Sequence, residues 1–216
     1  MTAIEANGLY RFFHSESDEV VALRDVSLRV DEGEIVAVVG PSGSGKSTLL
    51  ACLAGLDEPD GGRVVLAGRP MSRRTEAEKA AIRRAHVGIV YQSRNLFDHL
   101  TIEENVRLVQ RLCRSPRRNV LEELGISDRA RSRPTHLSGG EAARAAIAVA
   151  VASGPDVLLA DEPTAELDAE NEAAVLAMFA KLRDGGTASL VVTHSERVAR
   201  SAQRVLLLDD GRLHAA

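Results

Sequence analysis

Tryptophan is absent from this 216-residue sequence, cysteine is confined to Cys52 and Cys113, and lysine to Lys46, Lys79 and Lys181. Two cysteines so placed make neither a metal-ligand spacing nor a disulfide framework. Both fall in apolar helical patterns and read as buried thiols of a reducing cytosol. Basic residues are nearly all arginine and do not outnumber the acidic ones. A net charge of -4 lacks the electrostatic footprint of a nucleic-acid binder.

A long hydrophobic run is missing as well. The most apolar stretch, Ala142 to Ala160, is alanine-rich and broken by Arg144 and by Pro155-Asp156, so it does not qualify as a membrane span. The start, MTAIEANGLYRFF, lacks a basic end followed by an apolar core, and no secretory signal is read there. Work at a membrane is therefore expected to run through a partner. No internal repeat, low-complexity tract or interdomain linker is visible, and residues 1–216 read as one domain of ordinary to large size.

What is present is an alternation of short β-branched runs with helical stretches. Val20 to Val30 alternates as a half-buried strand does. Ile35 to Val39, Val64 to Ala67, Val87 to Tyr91, Val157 to Ala160, Leu190 to Thr193 and Val205 to Leu208 are short apolar runs. The later ones lack alternation and are separated by helices, the pattern of buried parallel strands. Ser47 to Leu53 reads as a helix stopping at Gly55, and Thr75 to Ala85 and Asp168 to Arg183 as longer amphipathic helices. Thr101 to His136 has no strand signal. It reads as two or three short helices with breaks at Ser115-Pro116 and Gly125, then a polar loop through Arg133-Pro134. The class is α/β with a helical insertion.

Gly40-Pro41-Ser42-Gly43-Ser44-Gly45-Lys46-Ser47 fits the phosphate-loop pattern G-x-x-x-x-G-K-[ST]. Its glycines let successive backbone N–H groups turn toward a β-phosphate. Lys46 is placed to reach β and γ oxygens, and Ser47 to offer a hydroxyl to Mg²⁺. The loop follows a strand and opens a helix whose positive pole favours phosphate. By itself it specifies a nucleoside triphosphate and nothing about the machine.

Val157-Leu158-Leu159-Ala160-Asp161-Glu162 is an apolar strand ending in two carboxylates, where ligands sit in open parallel sheets. In isolation such a pair is commonly a solvated turn; the phosphate loop upstream favours Asp161 as a Mg²⁺ holder and Glu162 as the group that polarises an attacking water. His194 ends another apolar run, and a γ-phosphate contact is the better reading there. Leu137-Ser138-Gly139-Gly140-Glu141 opens a helix running to Ala152. Ser138 and Glu141 form a capping box, which leaves two glycines at a helix start unexplained; they suit close approach of an anion to the backbone N–H groups.

LSGGE resembles the signature of the ATP-binding-cassette (ABC) ATPases, and the other motifs follow in that family's order. Gln92 resembles the Q-loop, Asp161-Glu162-Pro163 the Walker B end, Leu167-Asp168 the end of the D-loop, and His194 the H-loop switch. The resemblance implies a P-loop NTPase fold with a mostly parallel core sheet, an N-terminal antiparallel β subdomain and a helical insertion at about 95–153. It implies Mg²⁺-ATP as ligand and a head-to-tail homodimer with two ATPs at its interface. Each ATP would lie between Gly40 to Thr48 of one subunit and Ser138, Gly139 and Gly140 of the other, with Asp168 nearby. Ser47, Gln92 and Asp161 would hold Mg²⁺, Glu162 would be the general base, His194 would contact the γ-phosphate, and Gln92 would couple the site to a transmembrane permease. Phe13 is the better candidate to stack on adenine and Tyr10 the alternative; a core role for Phe13 stays open. The implied location is cytoplasmic, peripheral on the membrane's cytoplasmic face.

Within the family the chain resembles the lipoprotein-release and macrolide-export ATPases, at Gly40 to Leu50, Gly55-Leu56-Asp57, Asn95-Leu96-Phe97, Leu100-Thr101, Glu104-Asn105-Val106 and Leu158 to Thr164. It departs from them at Ala142-Ala143, where two glutamines before the arginine are common. It departs also at Val149 for an arginine, at Glu166 in the D-loop, and in a shorter helical segment. None of these removes a phosphate, metal or water ligand, so activity is expected. A cell-division-type ATPase that signals through a permease-like partner fits the same motifs. The soluble relatives do not: one kind needs a long coiled coil between Gln92 and Leu137, and the other two cassettes.

Overall fold

The computed structural model describes residues 1–14, 19–91, 96–115, 118–165 and 167–215. Gln92, Asn95, Pro116 and Glu166, singled out above, lie outside the described residues.

The strands form two sheets. β1 (Thr2–His14), β2 (Glu19–Asp31), β4 (Gly61–Leu66) and β5 (Arg69–Pro70) make an antiparallel sheet in the order β2-β1-β4-β5. In β2, Val26, Leu28 and Val30 are buried while Ser27 and Arg29 are exposed, the period-two pattern of a strand with one face on a core. The second sheet contains β3 (Ile35–Val39), β6 (Val87–Val90), β7 (Val157–Asp161), β8 (Ala188–Val192), β9 (Arg204–Asp209) and β10 (Arg212–Ala215) in the order β10-β9-β3-β8-β7-β6. Its neighbours are parallel except for the β9–β10 hairpin. All five positions of β8 are buried, which is why its sequence does not alternate.

This sheet separates two apolar clusters. Val36, Val38, Leu159 and Leu190 join Ile4, Leu9, Leu49 and Leu53 on one side. Ile35, Leu158, Ala160 and Val191 join Ile102, Ile147, Val175 and Phe179 on the other. Strand alternation deals successive residues of β3, β7 and β8 to opposite clusters.

The helices are α1 (Lys46–Leu53), α2 (Glu76–His86), α3 (Ile102–Cys113), α4 (Val120–Glu123), α5 (Gly139–Ala150), α6 (Ala169–Asp184) and α7 (Glu196–Ser201). α3, α4, two 3-10 turns and α5 lie in sequence between β6 and β7. Thr75, Thr101 and Ser138 form reciprocal capping boxes, and Asp168 and Ser195 cap α6 and α7; each such cap contributes about 1 kcal/mol. No helix among the described residues is long and apolar enough to cross a membrane.

Two expectations are corrected. The polar loop through Arg133-Pro134 is closed by a 3-10 turn at Pro134–His136, for which proline's fixed φ is suited. Cys113 is only half-buried, because it ends α3 rather than facing the core. Cys52 is buried, and burial pushes its thiol up to about 12.

Candidate functional site

The C-terminal ends of β3, β7 and β8 lead into the phosphate loop, the Asp161-Glu162 pair and His194. These strands are parallel, with Val38 and Asp161 both in register with Val192, so all three ends emerge at one sheet edge. There they line a cavity of about 1000 Å³ with Phe13, Ser42, Gly43, Gly45, Lys46, Ser47, Thr48, Asp161, Glu162 and His194 on its wall.

The loop is built for close approach. Gly45 caps α1 at φ 103, and an added Cβ would lie 2.3 Å from the Ala22 carbonyl oxygen. Only glycine takes that backbone at no steric cost, and as the N-cap it makes no side-chain hydrogen bond to α1. Lys46 is buried, and its ammonium donates to the carbonyl oxygens of Gly40 and Pro41, both at 2.8 Å. Burial lowers its pKa, opposed by the charges of Glu162 and Asp161. Its partners are two exchangeable loop carbonyls. Gly40, Pro41 and Ser44 shape the loop without lining the cavity.

Ser47 Oγ donates to Asp161 Oδ2 at 2.9 Å, joining the end of the phosphate loop to the end of β7. Glu162 adopts φ 48, an unusual backbone that costs about 1–3 kcal/mol in a non-glycine residue. Its N–H is anchored on the Val192 carbonyl at 2.9 Å. The carboxylate is held by His194, whose N–H donates to Oε2 at 3.1 Å and whose Nε2 stands 3.5 Å from Oε1. Oε1 is buried and has no hydrogen-bond partner among the described residues.

The aromatic alternatives separate. Phe13 lines the cavity, with the Arg11 guanidinium 4.7 Å over its ring and Arg11 itself clamped by Asp57 at 2.8 and 2.9 Å. Tyr10 is not on the wall; it stacks on Phe12 and packs against Gly61.

Ser138, Gly139, Gly140 and Asp168 are not part of this wall. Ser138 Oγ accepts from the Glu141 N–H at 3.3 Å, while Glu141 takes the Ser138 N–H at 2.8 Å and Arg129 Nε at 2.7 Å. Those two donors, the backbone N–H first, hold the Glu141 carboxyl below its usual range. Gly140 is buried, and a Cβ there would lie 2.0 Å from Asn171 Oδ1. Its lack of a side chain is therefore required by the seating of α6 on α5. Asp168 caps α6 through the Asn171 N–H.

Sequence reasoning missed Arg24, Glu172 and Ser195, all on the wall. Arg24 Nε is buried without a hydrogen-bond partner among the described residues. Ser195 carried a readable signal as an N-cap residue after an apolar strand; Arg24 and Glu172 sit in ordinary strand and helix patterns and carried none. A second cavity, of about 150 Å³, runs from Ser47 and Asp161 to Leu56 and Tyr91, the residue before Gln92.

A family model described as ABC transporter matches residues 23–165. The chain is 42% identical over 210 residues to the macrolide export ATP-binding/permease protein MacB of Burkholderia pseudomallei (strain 1710b), covering 94% of this chain and 32% of that protein. It is 40% identical over 221 residues to MacB of Salmonella choleraesuis, covering 99% and 34%. The chain thus spans about a third of the length of these curated relatives. The dimeric structure of MJ0796, a bacterial ABC transporter cassette, matches with a TM-score of 0.89 at 34% identity, over 98% of this chain and 96% of that one. A post-hydrolysis state of the ATP-binding cassette MJ0796 bound to ADP and Pi also gives 0.89, at 32% identity and 98% of both chains. Sequence and fold agree over nearly the whole chain, and it belongs to the ABC transporter family.

Proposed function

We propose that this chain binds Mg²⁺-ATP and hydrolyses it as a homodimer, driving a separate transmembrane permease of exporter type from the cytoplasmic face of the membrane. On this reading residues 1–216 form one cassette, with residues 95–153 as its helical arm. The observation that carries it is the joining of Ser47 to Asp161 beside a Glu162 already held by His194.

The donor set suits magnesium, which takes few protein oxygens and fills its shell with water and phosphate oxygens. Ser47 Oγ and Asp161 Oδ2 would hold the ion, which when bound neutralises charge on the phosphates. Gln92 is proposed as a further ligand and as the link to the permease. Backbone N–H groups at the start of α1 and in the loop from Gly40 to Thr48 take the phosphates, and Lys46 exchanges two carbonyls for phosphate oxygens. Phe13 offers one ring face to adenine while Arg11 backs the other. The Glu162 carboxylate accepts the proton of the attacking water, and His194, bonded to that carboxylate, contacts the γ-phosphate. Positioning and charge stabilisation do most of the work in such transfers.

The partner's Ser138, Gly139, Gly140 and Asp168 complete each site across the dimer, which agrees with their absence from the cavity wall here. The permease reading is supported by the relatives' description as ATP-binding/permease proteins and by the cavity reaching Leu56 and Tyr91 at the surface. The test is phosphate release by the purified chain under magnesium titration. Release that needs magnesium and is lost in Asp161→Asn supports the reading; no release, or release indifferent to Asp161, contradicts it.

A further inference from the structure

Glu172 is a buried carboxylate on the wall of the nucleotide cavity with no part in the reaction as derived above. It stands in the first turn of α6, and each of its oxygens is committed. Oε1 accepts from Ser195 Oγ at 2.5 Å, and Oε2 lies 3.2 Å from Arg197 Nε. Burying a carboxylate is costly unless it is paired and hydrogen-bonded, and here both partners belong to the segment that follows His194.

Ser195 has little freedom of its own. Its Oγ accepts the Val198 N–H at 3.3 Å as the cap of α7, and its N–H donates to Thr193 Oγ1 at 2.9 Å. The residue between Thr193 and Ser195 is His194, which holds Glu162. Glu172 is thus one hydrogen bond and one peptide from the residue that aligns the proposed base. The same turn of α6 is fixed on its other side, where Asn171 Oδ1 accepts from Arg144 of α5 at 2.8 Å and Asp168 Oδ1 takes the Asn171 N–H at 2.8 Å.

We propose that Glu172 is a positioning residue for hydrolysis: through Ser195 it locks the His194 segment to the start of α6, and so sets where the Glu162 carboxylate stands. This rests on the hydrolysis reading above. The first turn of α6 joins the signature helix to the His194 segment through two adjacent side chains. A dimer contact felt at Asp168 or Gly140 reaches the proposed base by this route.

The test is steady-state ATP hydrolysis by four variants of the full chain, with monomer ATP affinity, thermal midpoint and, in a Glu162→Gln background, ATP-driven dimerisation measured alongside. Glu172→Ala should lower kcat roughly 10- to 100-fold, the scale of a misplaced catalytic group, with affinity and dimerisation unchanged. Glu172→Gln keeps an acceptor for Ser195 and should retain most of kcat. Ser195→Asp keeps a good helix cap but sets a carboxylate against Glu172, so kcat should fall. Combining Ser195→Asp with Glu172→Ala removes the repulsion but not the loss of the lock, so kcat should match that of Glu172→Ala alone. Wild-type kcat in Glu172→Ala overturns the proposal, as does full activity in Ser195→Asp. Parallel loss of kcat, affinity, dimerisation and thermal midpoint in Glu172→Ala also overturns it, in favour of a plain folding role. No hydrolysis by the unaltered chain would instead remove the reading beneath it.

Discussion

Asn171 occupies the space that a side chain on Gly140 would need, its Oδ1 lying 2.0 Å from an added Cβ, while the same oxygen accepts from Arg144. The signature helix and α6 are thereby seated on each other at a glycine. Gly140→Ala should cost about 1–3 kcal/mol, as overpacking does, because Asn171 must move and release Arg144. Denaturant midpoints measure this; a variant as stable as wild type would show that the seating is loose.

Lys46 donates to two loop carbonyls and, on the proposed reading, exchanges them for phosphate oxygens. Lys46→Ala should abolish measurable ATP binding by calorimetry. Unchanged affinity would count against the phosphate loop as the site.

Phe13 and Tyr10 give opposite expectations. Aromatic stacking on a base contributes about 1–3 kcal/mol, so Phe13→Ala should weaken ATP binding by roughly 5- to 100-fold. Tyr10→Ala should leave affinity unchanged, since Tyr10 packs on Gly61 away from the cavity wall. Equal losses in the two variants would put the base elsewhere.

The Glu141 carboxyl titrates below its usual range because the Ser138 N–H and Arg129 hold it ionised. A pKa depressed by folding contributes stability above the unfolded value, about 4.3 for glutamate, and loses it as pH falls through the folded value. Glu141→Gln keeps the capping acceptor but not the charge. It should therefore be less stable than wild type at pH 7, with the gap closing in acid below about pH 4. Denaturant melts at both pH values would reveal a constant gap if the charge plays no part.

The parallel strands were legible because burial on both faces leaves short unbroken apolar runs such as Val157 to Ala160. β1 was not read as a strand in its own right. Its register shifts around Gly8, at φ 59, break the period-two pattern that would have announced it. The loop at Gly40 to Ser47, the Asp161-Glu162 pair and the Ser138 cap are local in sequence, so their chemistry shows in the order of residues. Asn171 and Glu172 act through Arg144 and Ser195, 27 and 23 residues away. No local pattern records such a pairing, and in sequence both look like solvated positions of an amphipathic helix. That Gly140 also seats α6 on α5 does not show in sequence, because the side chain that fills the space belongs to a distant helix.

The central claim is a site shared between two copies of this chain, closed by ATP and opened by hydrolysis. Sedimentation of the Glu162→Gln variant with Mg²⁺-ATP measures it most directly. A stable dimer holding two unhydrolysed ATP molecules, reverting to monomer with Mg²⁺-ADP, is the expected result. A variant that stays monomeric with ATP, or hydrolyses it as fast as wild type, would contradict the account.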